Sequence, residues 1–155
     1  MSRTVHGVDR VDKGSNPPLV GALLRRPHNA VRLQIVAELK ASGFGDIQAA
    51  HLAVFQYPGP DGRSPGELAR AADATKQAMN NLLAQLERSG YLTREVNPDN
   101  RRERTVRLTP RGRDLIKVIR RSIDRIESHW RAEFGEVDYE QLRSLLKRLN
   151  TFIGA

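Results

Sequence analysis

The chain has 155 residues and a formal net charge of +8, from 26 lysines and arginines against 18 acidic residues. That length suits one domain, or one lobe with a small helical annex, and the charge favours an anionic partner. It contains no cysteine, which excludes disulfides, thiol redox sensing and Cys-ligated zinc, and no run approaches the roughly 20 apolar residues of a membrane-spanning helix.

Residues 1–18 are polar and charged, end in Ser15-Asn16-Pro17-Pro18, and read as a flexible arm. A first helix is expected from Leu19 to Ala41, with a kink or restart at Pro27 and an apolar stripe of Val31, Ile35 and Leu39. Ser42 to Gly45 is a break. Asp46 is expected to cap a second helix through about Tyr57, with Ala50, Val54 and Tyr57 on one face and Leu52 and Phe55 beside them. Pro58 to Gly62 is a loop that lacks the Gly-Lys-Ser/Thr end of a phosphate-binding loop.

Ser64-Pro65-Gly66-Glu67 is a helix start: a capping serine, proline at the first helical position, and a carboxylate where a capping box needs one. Asp73-Ala74 breaks that helix and Thr75 caps the next, Lys76 to about Arg88. Met79, Leu82, Leu83 and Leu86 form its core stripe, and Ser89-Gly90 ends it. Opposite the stripe lie Gln77, Asn81, Ala84 and Arg88, flanked by Lys76 and Asn80. Amide side chains can pair bidentately with adenine edges in a major groove, and a small Ala84 permits close approach; an ordinary solvated face is the alternative. Residues 91–96 and 105–108 alternate as strands. The connection between them carries Arg101, Arg102 and Arg104. An arginine-rich tip just after an amide-bearing helix favours contact with phosphates or a narrow minor groove over mere solubility.

Thr109-Pro110 starts a long helix to about Phe134, with Leu115, Ile119, Ile123 or Ser122, Ile126 and Trp130 as its stripe. Gly135 breaks it. Asp138 is expected to cap a last helix whose Leu142, Leu145, Leu146, Leu149, Phe152 and Ile153 make a rich apolar face that needs a partner. The four histidines are scattered, with no close metal-ligand spacing, and no nucleophile–base pair or nucleotide motif appears.

Glu67-Leu68-Ala69, Thr75-Lys76-Gln77, Leu86 to Arg94, Pro98 to Arg102 and Leu108-Thr109-Pro110-Arg111-Gly112 together resemble the MarR family of bacterial transcription regulators. The run from the wing into Leu108-Thr109 and Gly112 is the most specific part, and the likeness extends from about Leu19 to the C-terminus. It implies a homodimer, a recognition helix in the major groove, a wing arginine in the minor groove and, often, release by a small ligand. One departure stands out. The family's wing usually carries Asp two residues before the minor-groove arginine; here Asn100 precedes Arg102. An amide cannot form that ion pair, and Asp99 is the nearest substitute.

The expected fold is mostly α with a small β hairpin: a winged helix-turn-helix DNA-binding lobe at 63–112, N-terminal helices at 19–57 for dimerisation and support, and C-terminal dimerisation helices at 113–155. The expected DNA contacts are Ser64, Thr75, Lys76, Gln77, Asn80, Asn81, Arg88, Arg94, Arg101, Arg102 and Arg104. Leu19 and Leu23 are expected to join the six apolar residues from Leu142 to Ile153 in a dimer interface. A candidate effector pocket, for a partly apolar anion, comprises Val31, Arg32, His51, Val54, Phe55 and Ile119. The partners are then double-stranded DNA, a second copy of the chain and a small effector, with no membrane, metal or cofactor and no enzymatic activity. The start of the chain lacks the apolar core of a signal peptide, and the expected location is the bacterial cytoplasm. Two alternatives stay open: a non-specific architectural DNA binder, which needs the cations but not the amides, and a winged-helix protein-interaction module.

Overall fold

The computed structural model describes residues 19–154; the N-terminal arm lies outside them. Five helices and one hairpin follow in order: α1 (Val20–Ala41), a short 3-10 turn (Ala49–Ala53), α2 (Pro65–Ala71), α3 (Lys76–Arg88), β1 (Leu92–Val96), β2 (Arg104–Leu108), α4 (Pro110–Phe134) and α5 (Glu136–Ile153). The strands pair antiparallel, with Leu92 opposite Leu108 and Val96 opposite Arg104. One apolar core joins the parts. Ile35 and Leu39 of α1 and Leu115, Ile119 and Ile126 of α4 meet Met79, Leu83 and Leu86 of α3 and Leu92 and Val106 of the hairpin.

Three local expectations need correction. Helix α1 runs continuously through Pro27, so of the kink or restart expected there the restart is overturned. Proline removes the hydrogen bond to the Leu23 carbonyl, but that part of α1 is exposed, so water can satisfy the freed group. The helix expected from Asp46 to Tyr57 is only a 3-10 turn, capped by Gln48 rather than Asp46. The Asp46 carboxylate is engaged instead by the Tyr91 hydroxyl at 2.5 Å, while the Gln48 backbone N–H donates to His51 Nδ1 at 3.0 Å. Tyr57 is consequently not a core residue; it is 95% exposed. Lastly, α5 starts at Glu136 with Gly135 as its cap, and Asp138 sits inside the first turn, where a carboxylate suits the helix dipole.

Candidate nucleic-acid interface

Helix α2 begins where the capping box predicts. The Ser64 backbone N–H donates to Glu67 Oε2 at 2.7 Å, and the Glu67 N–H donates to the Ser64 hydroxyl at 3.3 Å. Hydrogen bonding from Ser64, its backbone N–H foremost, holds the Glu67 carboxyl below the ordinary carboxylate range. Asp73, in the left-handed region at φ 49°, turns the chain. Thr75 then caps α3, its hydroxyl accepting from the Ala78 N–H at 3.1 Å.

Met79, Leu83 and Leu86 bury one side of α3 completely. The opposite side is open: Lys76, Gln77, Asn81 and Arg88 are exposed, with Asn80 and Ala84 half-buried at its edges. Gln77 Nε2 donates to Asn81 Oδ1 at 3.2 Å, which aligns the two amides one turn apart. Such a row presents donors and acceptors together, the combination that reads base edges.

The wing stands beside this helix. Its root is tied to the loop before α2: the Gly62 N–H donates to the Val106 carbonyl at 2.8 Å and the Val106 N–H to the Arg63 carbonyl at 2.9 Å. Asp61 Oδ1 accepts from the Leu108 N–H at 2.9 Å. At the tip, the Arg102 N–H donates to Asn100 Oδ1 at 3.2 Å and the Asp99 N–H to Asn97 Oδ1 at 2.9 Å. The Asn100 amide thus shapes the turn through its oxygen, although it forms no ion pair. Arg101, Arg102 and Arg104 are exposed and make no salt bridge among the described residues.

Two residues expected at the interface are occupied elsewhere. Ser64 is 7% exposed and spent on its cap. Arg94 donates to Glu87 Oε2 from Nε at 3.0 Å and from Nη2 at 2.7 Å, and its backbone N–H donates to Glu87 Oε1 at 3.0 Å. This clamp ties β1 to α3 and leaves Arg94 a poor phosphate ligand. Conversely, Arg70 is exposed, has no salt bridge among the described residues, and lies back over Gly66. It is a further cation that helical patterning gave no reason to single out.

Behind the interface, Tyr91 joins the lobe to the rest. Its hydroxyl donates to Asp46 and accepts from Arg111 Nη2 at 3.0 Å, and the Arg111 guanidinium lies 4.7 Å from the ring centroid. Burial pushes the Tyr91 phenol up, and the Asp46 bond adds to that. The Tyr91 carbonyl accepts from the Thr109 N–H at 3.1 Å, while the Thr109 hydroxyl donates to the Gly90 carbonyl at 2.6 Å. A Cβ on Gly112 would overlap the Tyr91 carbonyl oxygen, so glycine is what lets α4 approach this close.

A cavity of about 470 Å³ opens between α1, the 3-10 turn and α4, lined by His28, Val31, Arg32, Phe55, Ile119 and Ile123 among others. Four of the six expected pocket residues line it. Val54 does not, because it is fully buried. His51 does not, because its ring is held in place: Nδ1 accepts from Gln48, which leaves Nε2 to donate to Gln85 Oε1 at 2.9 Å. His28 takes its place. Arg32 is partly committed, donating to the Ala49 carbonyl at 2.9 Å. Among the described residues no three acidic or histidine side chains gather to hold a metal, and no helix is long and apolar enough to cross a membrane.

A model of the MarR family matches residues 42–103, the segment from the end of α1 through the wing tip. An HTH-type transcriptional repressor of Mycobacterium tuberculosis is 29% identical over 133 residues, covering 85% of this chain and 94% of its own. The crystal structure of MarR superposes with a TM-score of 0.72 at 27% identity, over 88% of this chain and 98% of that one. The fold is shared with Streptococcus pneumoniae FabT, solved in complex with DNA, at a TM-score of 0.73 and 20% identity over 87% of this chain and 95% of that one.

Proposed function

The chain belongs to the MarR family of transcription regulators, and we propose that it acts in the cytoplasm as a homodimeric, sequence-specific repressor. The observation that carries this reading is the exposed amide row on α3, set beside unpaired wing arginines. A purely architectural binder needs the cations alone. A protein-interaction module would want an apolar or acidic face where Gln77, Asn81 and Arg88 stand. In the proposed complex Lys76, Gln77, Asn80, Asn81 and Arg88 enter the major groove, with Thr75 at its edge. Arg101, Arg102 and Arg104 follow the backbone into the minor groove. Arg94 and Ser64 support from behind.

The exposed apolar surface supports a two-fold dimer. Leu19 is 76% exposed, Phe152 87% and Ile153 63%, with Leu23, Leu142 and Leu145 also open, and all lie at the ends of the chain. Pairing these ends buries them and sets two α3 helices side by side, so the operator is a pseudo-palindrome with half-sites about 10 bp apart. Selection of bound sites from random DNA tests specificity and symmetry together. Recovery of a two-fold motif supports the proposal; recovery of no motif, with undiminished affinity for random DNA, refutes it.

A second reading is favoured by the 470 Å³ cavity, which has the size of a small-molecule site and is mostly apolar. A ligand there lies between α1 and α4 and can relieve repression if it prefers the spacing that does not fit DNA. A tenfold loss of operator affinity requires about 1.4 kcal/mol of such preference.

A further inference from the structure

Instead of lining the cavity, His51 orients a side chain of α3. It is 6% exposed and sits in the 3-10 turn against that helix. The Gln48 backbone N–H can only donate, so His51 Nδ1 carries no proton and Nε2 carries one. That N–H, 2.9 Å from Gln85, must face the amide oxygen. The Gln85 side chain is thereby set: Oε1 is taken from behind, and the Nε2 amino group has no partner among the described residues. Gln85 is nevertheless exposed. A glutamine loose in solvent can turn either end outward; this one offers donors alone.

Gln85 continues the row of amides begun by Gln77 and Asn81, at the same spacing along α3. Each such step advances roughly 40° around the helix, at about 100° per residue. Gln77, Asn81, Ala84 and Arg88 thus lie within a strip about 60° wide, and Gln85 stands roughly 40° beyond Asn81, at its edge. An α-helix with its side chains is about 10–12 Å across, and the major groove is about 12 Å wide. With the strip on the groove floor, the flank that carries Gln85 lies against a sugar–phosphate wall. A phosphate oxygen only accepts, which matches a side chain that offers only donors.

We propose that Gln85 grips a DNA backbone phosphate through Nε2, and that His51 is the positioning residue that aims it. This rests on the reading of α3 as the helix that enters the major groove, and adds to it a contact that carries no sequence information of its own. The 3-10 turn then takes part in DNA binding through a relay of two bonds, Gln48 to His51 and His51 to Gln85.

The test measures binding of the full-length protein to the selected operator and to a random duplex across a salt series, with melting temperatures alongside. Gln85→Ala should weaken both duplexes equally, by about tenfold. It should leave the salt slope unchanged, because a neutral amide displaces no counterion. A base-reading amide loses mainly the operator and a wing arginine flattens the slope, so the signature belongs to a neutral phosphate contact. Gln85→Glu keeps the bond to His51 and the melting temperature, yet should bind more weakly still, since it sets a negative charge against the phosphate. His51→Ala, assayed at a temperature where circular dichroism shows it folded, should weaken binding when Gln85 is present and not in the Gln85→Ala background. The proposal is overturned if Gln85→Ala melts lower but binds both duplexes as the wild type does, if its loss is confined to the operator, or if His51→Ala costs as much without Gln85 as with it. Failure of the underlying reading looks different: Lys76→Ala, Gln77→Ala and Gln85→Ala would then all bind every duplex unchanged.

Discussion

Replacing Gly112 by alanine puts a methyl group where the Tyr91 carbonyl oxygen sits, with Leu108 Cδ2 a further 3.0 Å neighbour. Two terms oppose each other. Alanine in a helix is favoured over glycine by about 1 kcal/mol. Against that, the obstacle is backbone and cannot rotate away, and overpacking of this kind costs about 1–3 kcal/mol. The start of α4 must also retreat, which strains the Thr109 bonds to the Tyr91 and Gly90 carbonyls. Each is worth about 1 kcal/mol. The net expectation is a loss of about 2–4 kcal/mol, and a chain of this size melts about 2–4 °C lower for each kcal/mol. Thermal and urea melts followed by circular dichroism measure it. Gly21 provides the control: it lies in α1, nothing stands within 4 Å of its Cβ position, and its alanine variant should be neutral or slightly more stable. A Gly112→Ala variant that melts with the wild type would rule out this close approach of α4 to the Tyr91 carbonyl.

Further outcomes follow from the interface. Gln77→Ala and Asn81→Ala should each cost about 1–3 kcal/mol on the selected operator and far less on random DNA; because the two amides are bonded to each other, the double variant should fall short of the sum. Arg102→Ala should flatten the dependence of binding on salt by about one phosphate contact without lowering the melting temperature. Arg94→Ala should do the reverse, losing about 1–2 kcal/mol of stability with the Glu87 clamp and keeping the salt slope. The Glu67 carboxyl, depressed in the folded state by its bonds to Ser64, adds stability that is full above the unfolded value of about pH 4.3 and is lost as the pH falls through the folded value. Glu67→Gln should therefore give a shallower decline in melting temperature on acidification below that point. Replacing Leu145 and Phe152 by Asp should yield a monomer by light scattering and abolish tight operator binding.

The elements that local chemistry determines were readable from the residues. Ser64, Glu67 and Thr75 start helices through bonds made within three residues, and the Met79-Leu83-Leu86 spacing fixes which side of α3 faces outward. Misplaced elements and residues were those decided by distant partners. Asp46 looks like a cap until Tyr91, 45 positions on, takes its carboxylate. Arg94 looks like a phosphate ligand until Glu87 claims it from the preceding helix. His51 looks free for a pocket until Gln85 closes its ring. Gly112 was legible as part of a motif, but the reason for glycine there, the Tyr91 carbonyl, emerges only in three dimensions.

The joint at Tyr91 has a mechanical consequence. Ring, hydroxyl and carbonyl of one residue are all engaged, and they fasten the end of α3, the start of the hairpin and the first turn of α4 to one another. The DNA-reading head therefore has little freedom to tilt on its own stem; it turns as α4 turns. That helix has 25 residues, a rod about 37 Å long. Pivoting it about its far end by only about five degrees carries the head through about 3 Å, close to the 3.4 Å rise of one base pair. A stiff joint makes the rod a lever, and a small event at the far end becomes a whole-step error in where the protein reads.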